Sequence, residues 1–114
     1  MINKVFVSQE FIKDAKALLK KYHTLKTSVD KLILELTDNP YLGVPYGDKI
    51  YKVRLSDKSK GGGKSGGFRV MYYHQIKTET GIEILLMTIF DKSEKATISK
   101  TDALKKLNKI LENL

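Results

Sequence analysis

The chain has 114 residues and a formal net charge of +8, which bounds it to one domain with a modest core and points to a polyanionic partner such as nucleic acid or an acidic protein. The absence of cysteine excludes disulfide scaffolds, thiolate zinc sites and cysteine nucleophiles. No apolar run approaches the roughly 18 residues of a membrane span, and the first residues lack a signal-peptide pattern, so a single soluble, cytoplasmic, basic domain over residues 1–114 is expected.

Met1 to Val7, with Ile2, Val5, Phe6 and Val7, favours a short strand. Ser8 is placed to cap a helix in which Phe11, Ile12, Ala15, Leu18, Leu19 and Tyr22 recur on one face. After a break near His23, Thr24 or Thr27 starts a second helix carrying Leu25, Val29, Leu32, Ile33 and Leu36, and Asn39-Pro40 stops it. Tyr41 to Asp48, with its glycines and Pro45, reads as a loop. Lys49 to Leu55 alternates, with Tyr51, Val53 and Leu55 on one side and Ile50, Lys52 and Arg54 on the other. Ser56 to Gly67 is a loop holding five of the eight glycines. Phe68 to Gln75 is a second alternating strand, with Arg69, Met71 and Tyr73 on one face and Phe68, Val70 and Tyr72 on the other. Ile82 to Phe90 is apolar almost throughout, as in a central strand covered on both faces. Ser99 caps a last helix with Ala103, Leu104, Leu107, Ile110, Leu111 and Leu114 along its buried side. The expected fold is α+β, ordered β-α-α-β-β-β-α, with a mainly antiparallel sheet packed by two N-terminal helices and a C-terminal helix.

The charge is lopsided. Nineteen cations are lysine, and the two arginines are Arg54 and Arg69. Lys49, Lys52, Arg54, Lys58, Lys60, Lys64 and Arg69 face one anion, Asp57, so that one strand-loop-strand segment carries +6 of the +8. The stretch Lys58 to Ser65 approaches a phosphate-cradling P-loop, but Lys58 stands where that motif needs glycine, and a strand follows where it needs a helix. Solubility of a loop accounts for Lys58 and Lys60. It does not account for Lys52, Arg54 and Arg69 sharing a sheet face, where like charges repel unless an anion sits between them. Arginine's planar fork suits phosphate. His74 alternates onto the face opposite Arg69, which implies a structural role, and neither His23 nor His74 has a metal-ligand pattern around it.

Three segments resemble a known family. Asp38-Asn-Pro-Tyr-Leu-Gly-Val-Pro-Tyr-Gly-Asp-Lys-Ile-Tyr-Lys-Val-Arg-Leu55 resembles the RelE/ParE superfamily of bacterial toxins, where a helix stop precedes a strand with a Tyr-Lys-x-Arg/Lys pattern. Gly62-Gly-Lys-Ser-Gly-Gly-Phe-Arg-Val-Met-Tyr-Tyr73 and Leu86-Met-Thr-Ile-Phe-Asp-Lys-Ser-Glu94 resemble its HigB-like branch. The resemblance implies the toxin of a type II toxin-antitoxin system, a ribosome-dependent, metal-independent endoribonuclease that cleaves mRNA and needs no cofactor. It also implies a cognate antitoxin encoded adjacently, expected to be a helix-turn-helix protein. By residue, it implies Lys52, Arg54, Lys64, Arg69 and Lys92 as catalytic, with Arg69 on the scissile phosphate and Lys52 a proton-transfer candidate. Lys58, Lys60 and Tyr73 are expected to bind RNA. The sequence departs from the RelE branch at Ser93, where that branch often has arginine, and near Ser99, where it has a tyrosine. Tyr73, on the Arg69 face, is the substitute for that tyrosine. The alternatives are a ParE-like toxin acting on gyrase, and a non-catalytic RNA-binding module.

Overall fold

Alternate residues of a strand point to opposite faces, and in this protein both faces find helices to bury them. The computed structural model describes residues 2–60, 67–95 and 97–113. In chain order the elements are β1 (Lys4–Val7), α1 (Gln9–Lys21), α2 (Leu25–Asp38), β2 (Val44–Pro45), β3 (Ile50–Leu55), a 3-10 turn (Lys58–Lys60), β4 (Phe68–Thr78), β5 (Gly81–Asp91) and α3 (Lys100–Glu112). They form a five-stranded sheet in the order β1-β5-β4-β3-β2. β1 runs parallel to β5, and the other neighbours are antiparallel.

The expected α+β class and element order hold, with one addition. The glycine- and proline-bearing stretch after α2, read as a loop, contains β2, where Val44 lies opposite Lys52 and Pro45 opposite Tyr51. A proline is tolerated there because β2 is the sheet edge and its missing N–H costs no inner ladder bond. Gly43 permits the approach, since a Cβ at that position would lie 2.7 Å from the Lys52 carbonyl oxygen.

One sheet face sends Val53, Leu55, Phe68, Val70, Tyr72, Ile84 and Leu86 against Phe11, Ala15 and Leu18 of α1 and Leu25, Val29, Leu32 and Leu36 of α2. Ile12 and Leu19 share the spacing of the α1 stripe but stay exposed at its margin. The other face packs Ile50, Met71, Leu85, Met87 and Phe90 against Ala103, Leu107 and Ile110 of α3. Each fully buried large apolar side chain stabilises by roughly 1.5–3 kcal/mol, so both layers hold the central strands. Lys106 adds a tie between helices, with its Nζ 2.9 Å from Asp14 and 3.7 Å from Glu10 of α1.

Caps set the helix starts. The Ser8 hydroxyl accepts from the Phe11 N–H at 3.0 Å, and the Ser99 hydroxyl from Asp102 N–H at 3.1 Å, as the sequence predicts. Thr24 precedes α2, but its hydroxyl donates instead to Asp57 at 2.7 Å. Ser28 and the backbone and hydroxyl of Ser59 also donate to Asp57. Burial alone would raise the Asp57 carboxyl, and these hydrogen bonds outweigh it and hold its pKa below the usual value.

The chain after α2 is pinned to β4. Tyr72 donates to the Pro40 carbonyl at 3.0 Å and accepts from the Gly43 N–H at 2.8 Å. His74 is buried, places Nε2 2.7 Å from the Pro40 carbonyl, which accepts its N–H, and stacks on Tyr51 with centroids 4.3 Å apart. Burial pushes the His74 pKa down and nearby Lys77 adds to this, while the Pro40 bond opposes. The unfolded chain therefore takes up a proton at His74 near 6.5 before the folded protein does. Stability is expected to decline as pH falls below about 6.5, as measured by urea unfolding across pH. His74→Gln flattens that limb. Asp57 and Asp91 are both held below the ordinary aspartate value of 3.8, so the stability they contribute is present above that value and is lost as pH falls through it.

Candidate phosphate-binding site

The β3–β4 register places Arg54 directly opposite Arg69. β4 is an inner strand, so on its other side Arg69 faces Phe90 of β5. The Arg69 side chain is consequently buried, at 5% exposure, while Arg54 nearer the edge is exposed. Arg69 Nη1 donates to the Phe68 carbonyl at 3.1 Å. Among the described residues, no carboxylate pairs with either arginine. Burial first, and the charge of Arg54 second, push the Arg69 pKa below its ordinary value. Both effects express one condition: a partly desolvated cation facing another cation. Like charges directly opposite on a sheet cost about 0.2–1 kcal/mol, and an anion bound between them would reverse the sign.

A cleft opens where this end of the sheet meets α2. Its wall includes Lys52, Arg54, Lys58, Arg69 and Lys92, together with Lys31 and Glu35 of α2. Lys92 is the first residue after β5, and its N–H donates to the Gly67 carbonyl at 3.0 Å. Gly67 has φ of +90°, and a Cβ there would lie 2.9 Å from the Leu55 carbonyl oxygen, so glycine alone fits this junction. The ends of β3 and β5 and the start of β4 thus converge beside Arg69. Lys52 Nζ lies 5.1 Å from the centroid of the Tyr46 ring and 3.4 Å from Thr97 Oγ1.

The structure therefore brings Lys52, Arg54, Lys58, Arg69 and Lys92 around one cleft. Lys64 lies outside the described residues. Lys60, expected as an RNA ligand, does not line this cleft. Its Nζ sits 2.9 Å from Asp91 and within 5.1 Å and 5.8 Å of the Tyr22 and Phe68 ring centroids, so its charge is engaged inside the protein. Tyr73 shares the Arg69 face but stands four positions along the strand, about 13 Å away. It packs with Ile50 and Met71 toward α3 and does not line the cleft. Tyr46, in a stretch read as loop, and the Asp91 carboxylate, which holds Lys60, carry no local pattern that marks them. Among the described residues, no group of three or more histidines, aspartates or glutamates could hold a metal ion.

No protein-family profile and no curated protein matches the sequence. The architecture is that of a small α+β fold. Among solved structures, an arginine-to-alanine double mutant of the E. coli toxin RelE in the free state matches with a TM-score of 0.60 at 15% identity, covering 94% of this chain and 99% of that one. The likeness is one of fold: this chain adopts the fold of RelE across nearly its whole length.

Removing one of the opposed charges separates their cost from their use. Arg54→Gln is expected to raise stability by up to about 1 kcal/mol in phosphate-free buffer. It is also expected to abolish most of the rise in melting temperature that inorganic phosphate gives the wild-type protein. Thermal unfolding with and without phosphate at constant ionic strength measures both effects.

Proposed function

We propose that this protein is the toxin of a type II toxin-antitoxin system, of the HigB-like branch of the RelE/ParE superfamily, and that it cleaves mRNA on the ribosome without a metal ion. The carrying observation is the buried Arg69 guanidinium, opposed by Arg54 and lacking a carboxylate partner among the described residues, in a cleft that Lys52 and Lys92 share. The RelE-like fold supports the same reading.

RNA supplies its own nucleophile, the 2′-hydroxyl, which attacks the adjacent phosphorus. The protein must accept the hydroxyl proton, stabilise charge on the phosphorane, and protonate the departing 5′-oxygen. Arg69 and Arg54 hold the developing charge with planar, charge-assisted hydrogen bonds. Lys52, at the cleft wall, is assigned the proton transfer from the 2′-hydroxyl. Lys92 is assigned the leaving oxygen, with Lys58 and Lys64 on flanking phosphates. The ribosome orders the RNA strand, which a shallow cationic cleft does not do alone. The cognate antitoxin, encoded adjacently and of helix-turn-helix type, neutralises the toxin.

Arg69→Ala is expected to abolish growth arrest on induction, with a loss of at least about 10²-fold in mRNA cleavage, while antitoxin binding persists. Primer extension on total RNA after brief induction reads the outcome. Codon-positioned breaks that vanish with Arg69→Ala support the assignment. Growth arrest without breaks favours a gyrase-directed ParE-like toxin, and salt-sensitive RNA binding without breaks favours a non-catalytic RNA-binding module. Full toxicity of Arg69→Ala overturns the site.

A further inference from the structure

Asp91 is the last residue of β5, immediately before Lys92. It is 2% exposed, and both of its carboxylate oxygens are committed. Oδ1 accepts from the Ser93 N–H at 2.9 Å and from the Ser93 hydroxyl at 2.8 Å. Oδ2 accepts from Lys60 Nζ at 2.9 Å and from the Tyr22 hydroxyl at 3.0 Å. The Asp91 carbonyl accepts from the N–H groups of Glu94 and Lys95 at 3.1 and 3.0 Å. Lys92 is therefore enclosed. The residue before it grips the residue after it, and its own N–H is held by Gly67.

Stability alone is a weak reason for this arrangement, because a buried ion pair is commonly matched or bettered by apolar residues of the same volume. Its location supplies a stronger one. Asp91 does not line the cleft, yet the two chain segments it joins, the turn ending at Lys60 and the turn beginning at Lys92, flank it. Lys60 also neutralises Asp91, so the brace adds no net negative charge beside Arg69 and Arg54. A surface lysine on a free turn loses rotamer and backbone entropy when it engages a ligand. A turn fixed on both sides has given up part of that freedom on folding.

We propose that Asp91 is a positioning residue which, through Ser93, Lys60 and Tyr22, holds Lys92 beside Arg69 to meet the departing 5′-oxygen of the scissile phosphate. This rests on the nuclease reading above. Asp91 itself touches no substrate. Its effect on the reaction runs through Lys92.

The test is mRNA cleavage on ribosomes by purified protein under single-turnover conditions, with melting temperature recorded for every variant. Ser93→Ala removes one arm of the brace at an exposed residue. It is expected to slow cleavage about tenfold with KM little changed, and Ser93→Thr, which keeps the hydroxyl, is expected to restore the rate. Asp91→Asn is expected to slow cleavage at least as much and to melt lower. In a Lys92→Ala background neither substitution is expected to slow cleavage further, since the group being positioned is gone. Equal slowing with and without Lys92 overturns the proposal, as does wild-type cleavage by Ser93→Ala. If Asp91→Asn does not fold, the Ser93 pair and its cycle with Lys92→Ala decide alone. Wild-type protein that cleaves no mRNA overturns the nuclease reading and this proposal with it, whereas wild-type cleavage with additive variants overturns this proposal only.

Discussion

Two guanidinium groups face each other across adjacent strands, and the surrounding structure is built to keep them there. The β3–β4 register sets Arg54 against Arg69, and the inner position of β4 denies Arg69 the solvent that would screen the pair. A one-residue slip of β3 would send Arg54 to the face packed by α1 and α2 and bring Leu55 out of the core. The apolar layers under α1 and α2 and under α3 thus fix the charges as firmly as they fix the hydrophobic residues.

The nearby carboxylates are withheld from these arginines. Asp57 is occupied by hydroxyls from Thr24, Ser28 and Ser59, and Asp91 by Lys60, Tyr22 and Ser93. The Asp91 carboxyl, which burial alone would raise, is brought by these partners down to about 2. Glu35, on the cleft wall, makes no ion pair with Arg54 or Arg69 among the described residues. On the function proposed above, the electrostatic demand of the cleft is met from outside the protein, by a phosphate group of the RNA. The two rows of hydrogen bonds that satisfy Asp57 and Asp91 also stitch the loop after β3 to α2 and to the end of β5, so satisfying the acids and shaping the cleft are one operation.

Much of this was legible in the residues themselves. Period-2 alternation set Lys52, Arg54 and Arg69 on one face, and the continuous apolar run from Ile82 identified β5 as an inner strand. Ser8 and Ser99 announced their helices. β2 was hidden because two residues carry no periodicity, and what makes it a strand is the close approach that Gly43 allows. The Lys60–Asp91 contact was not legible, because a lysine in a glycine-rich loop has the same local signature whether it faces solvent or a buried aspartate thirty-one positions on. Lys106 and Lys109 both reach Glu10 of α1, a pairing that helical spacing does not announce. Local pattern reports the face a residue occupies. The partner it finds depends on folding over long sequence separations.

The parallel pairing of β1 with β5 gives the fold a clock. Lys4 to Val7 leave the ribosome some eighty residues before their sheet partners Glu83 to Leu86. At a synthesis rate of roughly 5–20 residues per second, β1 waits seconds with its backbone unpaired. Arg69 waits as well, because Phe90, its neighbour on the inner side, belongs to the same late strand. Closing so long a loop is slow and comes near the end of assembly. A nascent chain therefore carries its arginines before it can oppose and bury them, and the cleft comes into being only when β5 has been made.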